Sequence, residues 1–281
     1  MSDATFGARL IGAFETSGQL CVGIDPHARL LAEWGLPDSS AGLREFGLRV
    51  VEAARRRAGI VKLQVGFFER HGAVGYAALE EILQAARSAG LIVIADVKRG
   101  DIGSSVVAYA EAWFTPGSSL EVDAITAVAY QGVGSLDGVF ALARRHDKGV
   151  FVLAATSNPE AASTQRALRS DGVSVARGVL VDLHGRRPAD AAGSVDAVGV
   201  VLGGTLQLSD YGIEEGDLAG LPILAPGFGY QGAGFEGLRS IYGAAVRTVT
   251  ASASRSILSA GPDGIADAIS RAQTEVARAC R

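Results

Sequence analysis

Short apolar runs recur along the whole chain, each followed by a stretch with helical periodicity, and none is joined to the next by a two-residue hairpin turn. The runs are Leu20–Ile24, Ile60–Val65, Leu91–Ala95, Val122–Val128, Val150–Ala155, Ala197–Leu202, Ile223–Ala225 and Val246–Thr250. Uninterrupted apolar segments of this length suit strands covered on both faces, which is where parallel sheets are found. The intervening segments carry the complementary signature. Leu79, Ile82, Leu83 and Ala86 recur at helical spacing, and Ile265, Ile269, Ala272 and Val276 repeat on one face. Pro262 stands near the start of that last segment, where a missing N–H costs little. Eight strand–helix units in 281 residues predict an α/β architecture, a (β/α)8 barrel of the TIM type, rather than an open doubly wound sheet. No linker or low-complexity segment divides the chain, so residues 1–281 are expected to form one domain. The longest irregular stretch, Asn158–Asp196, is expected to hold an extra helix and a mobile loop.

A hydrophobic content of 48% against 20% charged residues allows a large core. The net charge of −4 gives no electrostatic footprint for nucleic acid, and the runs Arg55-Arg56-Arg57 and Arg144-Arg145 read as solvated helix faces. No apolar stretch approaches the length of a membrane span, and the N-terminus lacks a charged-then-apolar signal pattern. Cys21 and Cys280 lie at opposite ends of the sequence without ligand spacing, a buried thiol and a tail thiol. A reducing, cytoplasmic setting is therefore expected. His27, His71, His146 and His184 lack metal-ligand spacing, and Trp34 and Trp113 read as packing residues.

In such a barrel the chemistry sits at the C-terminal ends of the strands. Asp25 follows the first run, Lys62 lies in the second, and Asp96 and Lys98 end the third. Asp96 and Lys98 stand two apart, so they share a face if the strand persists that far, and Asp101 follows in a turn. An isolated charge at the end of an apolar strand is costly, so an alternating acid–base–acid set points to a functional cluster. Farther along, Gly227, Gly229, Gly232 and Gly234 follow the seventh run, while Ser254 and Arg255 follow the eighth. Loops after strands seven and eight are the usual phosphate cradle of a barrel. Arg255 would add a charge contact, Gln231 an amide donor, and Ser254 an N-cap. The alternative is that the glycines serve tight turns and Arg255 lies on the surface.

Together these residues resemble the orotidine 5′-phosphate decarboxylase family, in its longer bacterial, type 2 branch. The similarity extends from Cys21-Val22-Gly23-Ile24-Asp25-Pro26 to Ser254-Arg255-Ser256-Ile257. Its most specific element is DVKRGDIG, at Asp96–Gly103, supported by VKLQVGFFE, TSNP, PGFGYQG and SASRSI in the same order. The resemblance implies decarboxylation of orotidine 5′-phosphate to uridine 5′-phosphate, the last step of de novo pyrimidine synthesis, without metal or organic cofactor. By the same resemblance Lys62, Asp96, Lys98 and Asp101 form a charged tetrad, with Lys98 as proton donor. Asp101 would come from the neighbouring subunit of a homodimer with shared active sites, and Ser105 would stand across the same interface near the ribose. Asp25 and Lys62 match ribose-side contacts and Ser157 the contact to the pyrimidine. Gln231 and Arg255, with Gly229 and Gly232 in the glycine loop, match the phosphate grip. Leu63 replaces a common proline, and Ala127-Val128-Ala129-Tyr130 lacks another.

Three rival functions start from the same residues. A metal-dependent sugar-phosphate decarboxylase or aldolase of the same barrel group needs an acidic residue on the second strand, where this chain has Lys62. A Schiff-base aldolase needs a neutral lysine, whereas Asp96 and Asp101 flank Lys98. A non-catalytic phosphate-ligand binding barrel has no use for four ionised groups around one spot.

Overall fold

A computed structural model of the chain describes residues 4–188, 194–229 and 234–281. All eight strands are parallel and close in chain order: β1 (Leu20–Ile24), β2 (Ile60–Gln64), β3 (Ile92–Arg99), β4 (Ala124–Ala127), β5 (Gly149–Ala155), β6 (Val198–Leu202), β7 (Ile223–Pro226) and β8 (Val249–Ala253). The ring is sealed by β1 against β8, with Leu20 opposite Ala251 and Cys21 opposite Ser252. The expected (β/α)8 barrel is the fold observed.

The two-residue period of the strands sorts the core into two clusters. Val61 and Leu63 on β2, and Val93 and Ala95 on β3, face outward and join the large core under the helices. Ile60, Ile92, Ile94 and Phe151 face inward and form a smaller cluster within the barrel. The helix Phe6–Ser17 closes the N-terminal end of that cluster: Phe6 and Leu10 are fully buried, and Phe6 meets Phe151 edge-on with centroids 6.0 Å apart. One further step along each strand, the inward positions become Lys62 and Gln64 on β2, Asp96 on β3 and Thr126 on β4. The barrel interior is thus apolar at its plugged end and polar at its mouth.

The helix Gly72–Ser88 buries Leu79, Ile82, Leu83 and Ala86, and the helix Gly261–Ala279 buries Ile265, Ile269, Ala272 and Val276, the faces expected from periodicity. Strand boundaries differ in informative ways. β8 occupies Val249–Ala253 rather than Val246–Thr250, because Gly243–Thr248 winds into 3-10 turns that bury Val246 from outside the sheet. Gln19 Nε2 fixes that junction by donating to the carbonyls of Val246 at 2.6 Å and Val249 at 2.8 Å. β4 is shorter than its apolar run, and β3 runs past its own into the charged residues. Within Asn158–Asp196 lie the short helix Ala162–Gln165 and the helix Val175–His184; residues 189–193 fall outside the described part.

Candidate active site

Asp96 is the hub of the mouth. Its Oδ2 accepts a hydrogen bond from Lys62 Nζ at 3.1 Å, and its Oδ1 accepts one from Lys98 Nζ at 2.7 Å. Lys62 and Asp96 are almost sealed from solvent, at 6% and 8% exposure, whereas the Lys98 side chain is 43% exposed and opens to the pocket. Burial alone disfavours charge on both sealed groups. For Asp96 that effect is outweighed by Lys62 and Lys98, which hold the carboxyl well below the ordinary range. For Lys62 it is outweighed by Asp96 and then Asp25, which hold the ammonium above the usual lysine value. Lys62 and Asp96 therefore keep each other ionised, and Lys98 adds to the hold on the Asp96 carboxylate.

Lys98 reaches Asp96 through a break in the sheet. Ala95 pairs with Ile125 and Arg99 with Ala127, so β3 advances further than β4 between the two pairs and bulges. Within the bulge Lys98 adopts the left-handed conformation at φ 48°, which costs a non-glycine residue about 1–3 kcal/mol and is characteristic of functional sites. The Lys98 N–H donates to Thr126 Oγ1 at 2.9 Å, and Thr126 Oγ1 donates to Asp96 Oδ1 at 2.8 Å. Lys98 Nζ also donates to Gln64 Oε1 at 3.2 Å.

The same cavity extends from these charges to Asp25, Ser157, Gly227, Ser254 and Arg255. Asp25 Oδ1 and Ser254 Oγ are buried in its wall and accept or donate no hydrogen bond among the described residues. Ser254 does not act as the expected N-cap of the short helix Arg255–Leu258. Its side chain instead lies against Gly23, where a Cβ would come within 2.7 Å of the Ser254 Cβ. Ser157 stands at the pocket wall on a turn braced by Gln165, whose Oε1 accepts the Thr156 N–H at 2.9 Å and whose Nε2 donates to Thr156 Oγ1 at 3.0 Å.

After β7, Gly227 and Gly229 take positive φ values of 108° and 85°. A Cβ on Gly229 would collide with the Ser256 side chain, so glycine lets this turn lie directly on the segment carrying Arg255. Gln231 and Gly232 lie outside the described residues.

Asp101 and Ser105 are not brought into this pocket by their own chain. Asp101 Oδ1 accepts the N–H of Ile102 at 2.9 Å, and Ser105 is exposed on the helix Gly103–Phe114. Residues that sequence reasoning passed over are Thr126 and Gln64, which hydrogen-bond to Lys98, and Gln165, which braces the turn at Thr156. An alternation count from Lys62 would have flagged Gln64, since positions two apart share a face. Among the described residues no group of three His, Cys, Asp or Glu side chains is placed to hold a metal ion. The site at which a cation would meet Asp96 is taken by the ammonium of Lys62.

The profile of the Orotidine 5′-phosphate decarboxylase / HUMPS family matches residues 18–268. The orotidine 5′-phosphate decarboxylase of Streptomyces coelicolor is 48% identical over 262 residues, covering 92% of this chain and 91% of its own. That of Nocardioides sp. is 46% identical over 276 residues, covering 96% and 98%. A crystal structure from Streptomyces avermitilis, provisionally described as an orotidine 5′-phosphate decarboxylase, superposes with a TM-score of 0.93 at 44% identity, over 100% of this chain and 97% of that one. The OMP decarboxylase of Leishmania donovani superposes with a TM-score of 0.78 at 26% identity, covering 99% of both chains. A barrel with charges gathered at its mouth, matched along nearly its full length by these relatives, belongs to the orotidine 5′-phosphate decarboxylase / HUMPS family.

Proposed function

We propose that this chain decarboxylates orotidine 5′-phosphate to uridine 5′-phosphate, the closing step of pyrimidine nucleotide synthesis, as one catalytic domain spanning the chain. The observation that carries the reading is the Lys62–Asp96–Lys98 array in the wall of a cavity that Arg255 also lines. A cationic lysine at the reacting carbon and a guanidinium at the far end suit a substrate that is an anion at both ends.

In this reading the bond between the pyrimidine C6 and the carboxylate breaks, carbon dioxide leaves, and the electron pair stays on C6. The Lys98 ammonium stabilises that charge and then gives C6 its proton, without metal or organic cofactor. Asp96 holds Lys98 in place and keeps Lys62 charged. Asp25 and Lys62 meet the ribose, with the buried Asp25 Oδ1 accepting from a hydroxyl. Ser157 hydrogen-bonds the base. Arg255, with the turn at Gly229 and with Gln231 and Gly232, holds the phosphate. Binding energy from the phosphate end, remote from C6, is then available to lower the barrier rather than only to tighten affinity.

The charged tetrad is completed in a homodimer, Asp101 and Ser105 being supplied across the interface. Their placement outside the pocket of their own chain supports this, as does the exposure of Ile102 and Tyr109 beside them. The enzyme acts in the cytoplasm on a small nucleotide, not on nucleic acid or membrane; no described helix is long and apolar enough to cross a membrane.

The purified protein, incubated with orotidine 5′-phosphate, is expected to release carbon dioxide and uridine 5′-phosphate in equal amounts, with undiminished rate in EDTA. No turnover of this substrate would overturn the assignment. Activity lost to EDTA and restored by magnesium would favour the metal-dependent reading.

A further inference from the structure

We infer that Thr126 is a positioning residue for the reaction: its hydroxyl holds the β3 bulge in the form that aims Lys98 into the pocket. The inference rests on the decarboxylase reading above, and it concerns a residue that lines the cavity but to which that reading gives no substrate contact.

The geometry starts from the broken ladder. Between the pairs Ala95–Ile125 and Arg99–Ala127, the residues Asp96, Val97 and Lys98 of β3 face Thr126 of β4 alone. A regular parallel ladder would give each backbone N–H a carbonyl partner, and the bulge removes that partner for Lys98. Thr126 Oγ1 takes its place, accepting the Lys98 N–H at 2.9 Å. The same oxygen spends its own proton on Asp96 Oδ1 at 2.8 Å. One hydroxyl therefore ties the main chain of Lys98 to the carboxylate that its side chain grips at 2.7 Å. The loop Lys98 main chain, Thr126 hydroxyl, Asp96 carboxylate, Lys98 ammonium is closed on both sides.

That closure answers two needs of the site. Lys98 is a non-glycine residue at φ 48°, a conformation that persists only where surroundings fix it, and the hydrogen bond from its own N–H is the most direct such restraint. Asp96 must offer one oxygen to each lysine, and the Thr126 donor sets the rotation of the carboxylate so that Oδ1 faces Lys98 and Oδ2 faces Lys62. Thr126 is 1% exposed, so water has no ready access to replace the hydroxyl. Serine can make both bonds. Valine has nearly the volume of threonine but can make neither, leaving a buried N–H without a partner.

A misplaced Lys98 should harm proton delivery more than substrate capture, because the phosphate and ribose contacts lie on other strands. The test compares wild type, T126V and T126S with orotidine 5′-phosphate as substrate, and follows exchange of the Lys98 amide proton by NMR. T126V is expected to lose about 30- to 100-fold in kcat, the scale of an ångström-sized misplacement, with KM changed less than about threefold. T126S should stay within about threefold of wild type in kcat. The Lys98 amide should exchange at least about tenfold faster in T126V than in T126S, while Ile94 and Ala124 amides in the same sheet stay protected. If T126V fails to fold, T126A takes its place in each comparison. Wild-type kcat in T126V, an equal loss in T126S, or an unchanged Lys98 exchange rate would each overturn the positioning role while leaving the decarboxylase reading intact. An inactive wild type would instead overturn that reading, and this role with it.

Discussion

At the β2–β3 end of the pocket, Lys62 and Lys98 occupy the two oxygens of Asp96, and the charges are compensated within the chain before any ligand arrives. Toward β7 and β8 the wall is made differently. A positive-φ glycine turn lies against the segment bearing Arg255, and Ser254 Oγ on that segment and Asp25 Oδ1 after β1 are buried without hydrogen-bond partners among the described residues. The first end is organised in advance around an internal salt-bridge network. The second is lined by buried polar atoms that make no hydrogen bond among the described residues, and it is the end proposed to grip the phosphate and ribose. That division fits a reaction in which charge develops at one end while grip is exerted at the other. Preorganised charge stabilises a transition state without reorganisation at the moment of reaction, and remote contacts contribute binding energy that the chemistry can use.

The comparison breaks most sharply at Lys98. Lys98→Ala removes the proposed proton donor but leaves the sealed Lys62–Asp96 pair, so folding should survive while kcat/KM falls by about 10⁴-fold or more. Steady-state kinetics beside a thermal melt decide it; near-normal turnover would remove Lys98 from the chemistry. The next largest effect tests whether the organised end is finished within one chain. Lys98→Ala and Asp101→Ala subunits, each inactive alone, should on mixing recover about a quarter of wild-type activity, since half the dimers of a twofold assembly would carry one intact site. No recovery despite demonstrated subunit exchange would place Asp101 outside a shared site.

The open end gives a smaller effect with a different signature. Arg255→Ala should lower kcat/KM for orotidine 5′-phosphate by about 10- to 150-fold, the worth of a hydrogen bond to a charged group. For orotidine lacking the phosphate, wild type and variant should be nearly alike. An equal loss on both substrates would mean that Arg255 supports the pocket wall rather than gripping phosphate.

The organised end was also the easier one to read from sequence, and the reasons are physical. The strand runs stand out because parallel barrel strands are covered on both faces, so β1 and its apolar run share the same bounds, Leu20–Ile24. Lys62, Asp96 and Lys98 stand out because charge inside such a run needs a reason. Thr126 gives no such signal, since threonine is an ordinary strand former and its work depends on a bulge in the neighbouring strand. Val246 misled in the opposite sense: it is apolar and buried, but it packs from a 3-10 turn, so the run overshoots the true start of β8. Gln165 became visible only once the turn at Thr156 was folded back onto it. The role proposed for Asp101 calls for a second chain, which neither one sequence nor one subunit contains.

How strongly the organised end holds itself together is measurable at Asp96. Asp96→Asn keeps the size of the side chain but leaves Lys62 buried beside a neutral amide, which should cost about 3–5 kcal/mol at pH 7. The signs set the pH window. The Asp96 carboxyl is held below its unfolded value of about 3.9, so its contribution is complete above that pH and declines as pH falls toward the lowered folded value. Lys62 is held above its unfolded value of about 10.4, so its share is complete below that pH and is lost only as pH rises through the raised folded value. Urea unfolding of wild type and variant should therefore show a stability gap that is flat from about pH 5 to 9 and narrows below about pH 4. A gap that closes between pH 7 and 5 would mean that Asp96 takes up a proton near neutrality. The network would then not be the fixed charge array on which the contrast with the open end depends.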